Sequence, residues 1–259
     1  HTINEEQSIL LDTLKRAVRE RIAPAAAETD RLERFDRDAV DLLWDLGLLQ
    51  LMLPEAYGGW PDEPCYTLCL CVEEIARACA SSALLPIIQA VGSFPLITRG
   101  NASQKERYFP RISRGRELMG YLVTEPGAGS DVQAVSARAT LNEGGYVLNG
   151  RKVFATNGAV AGLYSALART GEDELSFFLV ERDMPGVVIG KSEEKCGFRG
   201  SNTAEVVLED VLVPRKNLLG SPGDGFAIAM DDFDMSRPFV AALALGLAEG
   251  ALDFTIGSA

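Results

Sequence analysis

Histidine is almost absent from this chain of 259 residues, in which the only histidine is His1. We interpret His1 as a remnant of cloning rather than as part of the fold. Without another imidazole, the sequence offers no Ser-His-Asp triad, no histidine metal ligand and no histidine general base. Catalysis by this chain would therefore have to use carboxylates, a thiol or a cofactor, and we expect no metal site.

Basic residues are also in short supply. The chain has 25 Lys and Arg against 37 Asp and Glu, which gives a formal net charge of −12. Phosphate contacts need clustered cations, so this balance argues against nucleic acid or an anionic membrane as a partner. No apolar run approaches the ~20 residues of a membrane-spanning helix, and no signal peptide opens the chain. A local pocket for an anionic small molecule remains compatible with the charge.

The five cysteines form no recognisable metal or redox motif. Cys69-Leu70-Cys71 lacks the two-residue spacing of a zinc knuckle or a redox pair. We therefore expect reduced cysteines that are buried in helices, which is typical of a cytoplasmic protein or, in a eukaryote, of the mitochondrial matrix. The residues concerned are Cys65, Cys69, Cys71, Cys79 and Cys196.

The hydrophobic pattern changes twice along the chain and predicts an α+β protein. Residues 1–118 show helical periodicity, with a first run that ends at Pro24 and a later helix that begins at the capping box Ser103–Glu106. Residues 119–223 are rich in β-branched residues, with turns about every ten residues, as in an antiparallel β-barrel or sandwich. Residues 224–259 are apolar and helical again, and we expect them to start a C-terminal helical bundle that continues past Ala259.

One segment combines a strand with a glycine-rich turn. Tyr121–Asp131 reads YLVTEPGAGSD. Glycines allow backbone N–H groups to approach a ligand closely, and Thr124 and Ser130 add hydroxyls. An ordinary β-turn is the alternative interpretation. The segment is not a dinucleotide fingerprint, because the third glycine is missing and no helical run follows.

A second candidate is the strand that follows Asn149-Gly150. Phe154 and Thr156 are two residues apart, so a regular strand would place them on one face. There the ring could cover a flat ligand while the hydroxyl bonds the edge of the ligand. The alternative is that Phe154 is part of the barrel core.

A third candidate opens the last helical run. Asp234 and Arg237 are three residues apart, and an arginine at this place could pair with a carboxylate or hold an anionic ligand. The alternatives are a solvated charge or a pair between the two residues, one helical turn apart.

Taken together, these segments resemble the acyl-CoA dehydrogenase family. Tyr121–Asp131 is similar, nearly letter for letter, to the flavin-binding signature of that family. Further segments follow in the family's order over essentially the whole chain, most loosely over the first ~50 residues. They are NGRK (149–152), FLVE (178–181), PGV (185–187), GFA (225–227) and FDMSR (233–237).

The resemblance implies an FAD-dependent enzyme that binds the flavin between its β domain and its helical domains. It implies transfer of a hydride from an acyl-CoA thioester to flavin N5, which yields the trans-2-enoyl-CoA in fatty acid metabolism. The positions implied for the cofactor are Tyr121, Val123, Thr124, Gly129, Ser130, Phe154, Ala155 and Thr156. The positions implied for the acyl-CoA are Ser130, Asp234 and Arg237.

The sequence departs from the family pattern at three places. Phe154 stands where the family usually has tryptophan, and Ala155 stands where it usually has isoleucine. Some members carry the catalytic glutamate just before the arginine of the last motif, where this chain has Ser236. We therefore expect the catalytic base beyond Ala259 and name none within the sequence.

The resemblance also implies partners, and it leaves two other functions open. An electron-transfer flavoprotein is the implied electron acceptor, and a homotetramer is the implied assembly. The first alternative is a non-catalytic partner subunit with this fold. The second is a flavin oxidase on the same fold that acts on another substrate.

Overall fold

The structure, a computed structural model, describes residues 3–258. The interpretation of His1 and the expectation for the chain past Ala259 lie outside the described residues. Within 3–258, helices precede and follow a block of strands, which confirms the predicted α+β class. The helices are α1 (Glu5–Ala17), α2 (Ala23–Leu32), α3 (Arg37–Asp45), α4 (Pro64–Ala78), α5 (Ala80–Arg99), α6 (Ala102–Ser113) and α7 (Gly225–Ser258).

The strands form one sheet in the order β6-β7-β3-β2-β4-β5-β8, with β1 paired to β4 beside this path. Most pairs are antiparallel, as expected, but β4 pairs in parallel with β1 and, at Arg138 and Arg169, with β2. The strands are β1 (Met119–Leu122), β2 (Arg138–Leu141), β3 (Tyr146–Thr156), β4 (Leu163–Arg169), β5 (Leu175–Glu181), β6 (Val187–Ser192), β7 (Thr203–Val213) and β8 (Leu218–Leu219).

The chain divides into two compact units. The helical unit contains the chain up to Ala90, Glu194–Ser201 and the chain from Met235. The sheet unit contains Val91–Glu193 and Asn202–Asp234. In this division α6 belongs with the strands, and the predicted three-domain boundaries remain a prediction.

The core of the sheet unit lies around β4 and β5. Six consecutive residues of each of these strands are buried, which explains why both read as continuous apolar runs rather than as alternating ones. α6 is fixed to this sheet by charge. Arg111 Nη1 lies 2.6 Å from Glu181 Oε2 on β5, and Arg107 also pairs with Glu181 at 2.8 Å.

The helical unit contains a correction at Pro24. The first helical run was expected to end there, but the chain continues through a π-helical turn, Val18–Ile22, into α2. In this turn the N–H of Ala23 donates to the carbonyl of Val18, five residues back. A proline within the first turn of a helix lacks only an N–H that would have no helical partner, so α2 tolerates it.

A second correction concerns the start of α6. The capping box was expected at Ser103–Glu106, but the residue that caps the helix is Asn101. Its side chain accepts a hydrogen bond from Gln104 N at 3.0 Å, and Gln104 Oε1 accepts one from Asn101 N at 2.8 Å. Amide side chains thus form the reciprocal pair that Ser and Glu were expected to form.

The cysteines are free, as expected, but their burial is not uniform. Cys71 and Cys79 are buried, whereas Cys65 and Cys196 are exposed. Cys196 lies in the loop between β6 and β7 rather than in a helix. The expectation of uniformly buried helical cysteines was therefore wrong for Cys65 and Cys196, and it fails in part for the half-buried Cys69 and for Cys79, which lies between α4 and α5.

Two helices, Ala80–Arg99 and Gly225–Ser258, are long and apolar enough to cross a membrane by length and composition. The statement that no run approaches this length was therefore wrong. The finding is weak evidence for a membrane, because core helices satisfy the same criteria and α5 is mostly buried.

Candidate functional site

The glycine-rich segment leaves β1 and turns back on itself. Glu125 N donates to the carbonyl of Ala128 at 2.9 Å, and Ala128 N donates to the carbonyl of Glu125 at 3.1 Å. A Cβ atom placed on Gly127 or Gly129 would meet no atom within 4 Å, and Ser130 is exposed. The turn therefore presents backbone and a hydroxyl to open space, where a ligand can approach.

The structure brings this turn together with the end of β3. Val153 N donates to the carbonyl of Thr124 at 2.9 Å. Between Lys152 and Ala155 the pairing of β3 with β7 shifts register, which marks a β-bulge. The first two candidate segments are therefore neighbours, although they lie far apart in the sequence.

Phe154 lies on this bulge and points away from the core. Its backbone φ is 55°, and the residue is 63% exposed. Because the bulge interrupts the regular alternation, it aims Phe154 outwards, while Ala155 is buried and Thr156 is half-buried. The alternative that Phe154 belongs to the barrel core is therefore wrong.

The backbone at Phe154 is strained. A non-glycine residue held at positive φ costs about 1–3 kcal/mol, and such residues cluster where a ligand is bound. An exposed aromatic ring in a strained position stabilises the free protein little. The arrangement is thus typical of a side chain that serves a ligand rather than the fold.

Lys152, the residue before the bulge, forms a buried ion pair under the turn. Lys152 Nζ lies 2.7 Å from Glu125 Oε1 and 3.1 Å from the carbonyl oxygen of Val123. Glu125 also accepts hydrogen bonds from Ser136 N at 2.7 Å, Ser136 Oγ at 2.6 Å and Ala137 N at 3.0 Å. Each carboxylate oxygen thus has two donors.

These contacts set the charge states of the pair. Burial alone would raise the pKa of Glu125, but Lys152 and the donors from Ser136 outweigh it and hold this pKa below its usual value. Burial lowers the pKa of Lys152 to about 8, against the opposing effect of Glu125. Both groups are charged at neutral pH, and because donors occupy both carboxylate oxygens, Glu125 is a structural anchor of the turn rather than a base.

Tyr121 and Val123 contribute differently from the rest of the segment. Val123 is buried, and Tyr121 stacks on Phe177 with ring centroids 5.6 Å apart. The Tyr121 hydroxyl is buried without a hydrogen bond of standard geometry. The side chain of Val123 therefore faces the interior, and its carbonyl oxygen accepts from Lys152 Nζ.

The third candidate pair lies on α7. Asp234 and Arg237 are both exposed, and Ser236 between them is half-buried. Their three-residue spacing on one helix places them one turn apart, as expected. Asp234 lies in the sheet unit and Arg237 in the helical unit.

Sequence reasoning missed three buried polar residues at this site, Asn157, Asp232 and the Lys152 described above. Asn157 Nδ2 donates to the carbonyl of Met119 at 3.2 Å and so connects the end of β3 to β1. Asp232 on α7 is fully buried. A polar residue inside an apolar run was the signal for Asp232, and the inward register of β3 was the signal for Lys152.

The described residues fit a flat aromatic ligand. An open backbone turn, an exposed ring and a half-buried hydroxyl lie on adjacent segments of one unit. The turn provides N–H groups for polar edges, and the ring provides an apolar surface. An isoalloxazine needs both kinds of contact.

Comparisons with known proteins give matches over most of the chain. Residues 4–116 match the sequence model of the acyl-CoA dehydrogenase N-terminal domain, and residues 120–211 match that of the acyl-CoA dehydrogenase middle domain. Cyclohexane-1-carbonyl-CoA dehydrogenase of Syntrophus aciditrophicus is 53% identical over 97% of this chain and 66% of its own length.

Solved structures match as well. Butyryl-CoA dehydrogenase from Megasphaera elsdenii aligns with a TM-score of 0.95 and 34% identity, over 99% of this chain and 69% of that one. An acyl-CoA dehydrogenase complexed with FAD from Bacillus anthracis aligns with a TM-score of 0.90 and 33% identity, over 97% of this chain and 44% of that one. The chain spans about two thirds of the length of the curated relative above.

Proposed function

Because this chain belongs to the acyl-CoA dehydrogenase family, we propose that it binds FAD and that the protein oxidises an acyl-CoA thioester to its α,β-unsaturated product. The observation that carries the proposal is Phe154, exposed on a strained bulge that is hydrogen-bonded to the glycine-rich turn. The FAD-complexed relative from Bacillus anthracis supports the choice of cofactor.

Each residue of the site would make a different contact with the cofactor. The ring of Phe154 would cover the flavin, and the half-buried hydroxyls of Thr124 and Thr156 would bond its polar edge. Gly129 and Ser130 would supply backbone and hydroxyl contacts at the open side of the turn. The buried Glu125–Lys152 pair would keep the turn in this geometry.

When bound, FAD supplies the hydride acceptor that no side chain can provide. The chain's own residues must then orient the thioester. Ser130, Asp234 and Arg237 are the proposed contacts of the acyl-CoA, and the Arg237 guanidinium suits the negatively charged CoA. Donors aimed at the thioester carbonyl would stabilise the charge that develops as the α-proton leaves.

The base that removes the α-proton is not assigned to a described residue. Ser236 is no base at neutral pH, Glu125 is saturated by donors, and Asp232 is fully buried. We propose that a carboxylate beyond Ala259 takes this role, with its pKa raised by burial towards the working pH.

The relatives favour an alicyclic substrate. The Syntrophus aciditrophicus relative is named for cyclohexane-1-carbonyl-CoA and shares 53% of its residues with this chain. We propose cyclohexane-carbonyl-CoA or a similar ring-bearing thioester as the substrate.

We also propose an electron-transfer flavoprotein as the electron acceptor and a homotetramer as the assembly.

The test is flavin reduction under anaerobic conditions. The protein expressed from its complete gene and loaded with FAD should lose its visible absorbance on addition of cyclohexane-1-carbonyl-CoA. Straight-chain acyl-CoAs of similar size should bleach it more slowly. The variant Thr156→Ala should bind FAD more weakly, and the variant of the exposed Thr140, Thr140→Ala, should behave as wild type.

Two results would contradict the proposal. Protein that stays colourless after incubation with FAD would overturn cofactor binding. Protein that binds FAD but is not reduced by any acyl-CoA would overturn the dehydrogenase activity, and reduction followed by rapid reoxidation in air would favour an oxidase.

A further inference from the structure

Asp232, near the start of α7, is an acid in an unusual environment. It is 0% exposed, and neither carboxylate oxygen has a hydrogen bond of standard geometry. The preceding residue, Asp231, differs in both respects, because its side chain is 53% exposed and lies 2.8 Å from Arg99 Nη2. A buried carboxylate without a cation is costly, so its presence calls for an explanation.

The group that faces Asp232 is the hydroxyl of Tyr121. This hydroxyl is buried too, and the two groups are close enough for Asp232 to raise the pKa of the tyrosine. Tyr121 belongs to β1, and its ring is held by stacking on Phe177 of β5. Two buried polar groups therefore meet where α7 lies against the strand that leads into the glycine-rich turn.

Burial governs the charge of Asp232. It raises the pKa of this carboxyl to about 8, and the Tyr121 hydroxyl opposes the rise. Among the groups that the structure describes, Tyr121 is the titratable group that acts on Asp232. Arg99 pairs with the neighbouring Asp231. Asp232 thus carries a proton at neutral pH and becomes a buried anion in alkaline solution.

We propose that Asp232 is a positioning residue of the flavin site that acts through Tyr121, and that its ionisation lowers the reduction potential of the bound flavin. The inference rests on the proposed function, because Tyr121 is one of the residues assigned to the cofactor. It goes further by giving a role to an acid that no motif of the sequence indicated.

The physical basis is electrostatic coupling in a poorly solvated interior. Reduction adds electrons to the flavin, and a negative charge nearby disfavours this more strongly inside a protein than in water. Coupling of this kind is reciprocal, so reduction of the flavin must raise the pKa of Asp232 by the same free energy. In the proposed reaction the electrons come from the acyl-CoA, and the extra proton on Asp232 comes from solvent.

The experiment is a spectroelectrochemical titration of the FAD-loaded protein from pH 6 to pH 10. In wild type we expect the potential to fall more steeply with pH once Asp232 ionises than in Asp232→Asn. At pH values below the ionisation of Asp232, the curves of reduction potential against pH for wild type and Asp232→Asn should be parallel. The matched control is Asp231→Asn, which removes an exposed neighbouring charge and should follow the wild-type curve.

A second variant keeps the inference testable if Asp232→Asn fails to fold. Tyr121→Phe keeps the stacked ring but removes the hydroxyl that lowers the pKa of Asp232, so the steep segment should move to higher pH. Identical pH profiles for wild type, Asp232→Asn and Tyr121→Phe would overturn the inference and leave the proposed function intact. A wild type that binds no FAD would overturn both.

Discussion

Glu125 and Lys152 show how a single ion pair fixes the geometry of the glycine-rich turn. Lys152 is 0% exposed and has Glu125 and the Val123 carbonyl as its partners. Removing one member of a buried pair leaves the other charge without compensation, and this costs more than the pair itself contributes. The effect of a substitution here should therefore be large.

We predict that Glu125→Gln lowers the free energy of unfolding by about 3–5 kcal/mol, because Lys152 loses its counter-charge in the interior. Urea unfolding monitored by circular dichroism measures this. The control is Glu28→Gln, which breaks the exposed pair with Arg31 and should cost about 1 kcal/mol or less. Equal effects of the two substitutions would contradict the structural role of the buried pair.

Asp232 gives a second residue-level prediction, which concerns how the free energy of unfolding depends on pH. The folded pKa is about 8 and the ordinary value is 3.8, so the folded protein binds more protons than the unfolded chain between these values. Stability must therefore fall as pH rises through this window, by up to about 1.4 kcal/mol per pH unit. Asp232→Asn should flatten this fall, which thermal unfolding between pH 5 and 8 would measure. A variant with the wild-type slope would show that Asp232 is not buried as an acid.

Some of these residues could be predicted from the sequence, whereas others depend on long-range contacts that only the fold creates. Phe154 and Thr156 could be proposed from their types and spacing alone. The partner of Lys152 lies 27 residues away in the sequence, and its burial depends on how β3 meets the turn. Such pairs are set by the fold, so local pattern cannot predict them.

At the scale of elements, the bulge in β3 places Phe154 outside the packed core, so that its ring can contact a ligand without being needed for folding. A regular strand would have kept Phe154 at ordinary φ and within the alternation of the sheet. The extra residue in the bulge turns the ring outwards, at the cost of backbone strain.

We therefore predict that Phe154→Gly changes the free energy of unfolding by less than about 1 kcal/mol, because glycine relieves the positive φ and little buried surface is lost. The same substitution should weaken FAD binding about tenfold through loss of the covering ring, as measured by flavin fluorescence titration. The matched control is the fully buried Phe178, for which Phe178→Ala should cost about 3–5 kcal/mol. A strong loss of stability in Phe154→Gly would indicate that the Phe154 side chain is part of the core.

The crossing of α7 and α4 in the helical unit depends on a glycine. A Cβ atom on Gly246 would lie 2.0 Å from the carbonyl oxygen of Glu73, whereas one on Gly257 would meet nothing within 4 Å. We predict that Gly246→Ala destabilises the protein by about 1–3 kcal/mol, while Gly257→Ala has no effect or stabilises it by up to about 1 kcal/mol. Thermal unfolding of both variants would decide, and equal melting temperatures would contradict the close approach of the helices.

Element types were predicted better than their ends. Periodicity identified the helical and strand regions, but α2 continues past Pro24 and α6 is capped by Asn101 rather than Ser103. At Pro24 the missing N–H would have no helical partner, and at α6 several side chains can satisfy the same backbone groups. The choice among them depends on neighbouring turns, which a sequence motif does not specify.

For the whole molecule, connectivity is what the sequence could least predict. The parallel pairing of β1 with β4 joins strands that are separated by two others in the chain. This pairing places the start of the glycine-rich turn beside the centre of the sheet, and hydrogen bonds from Val153 and Asn157 then connect it to β3. The candidate site is thus a consequence of topology, although its residue types were visible beforehand.

The central claim is that a flavin ring binds against the turn of Tyr121–Ser130 and the end of β3. A crystal structure of the protein grown with FAD tests it most directly. We predict electron density for the isoalloxazine in contact with Phe154 and within hydrogen-bonding distance of Thr156. Density for the ring at another surface, or a Phe154 side chain that contacts only protein in crystals that contain FAD, would contradict the account.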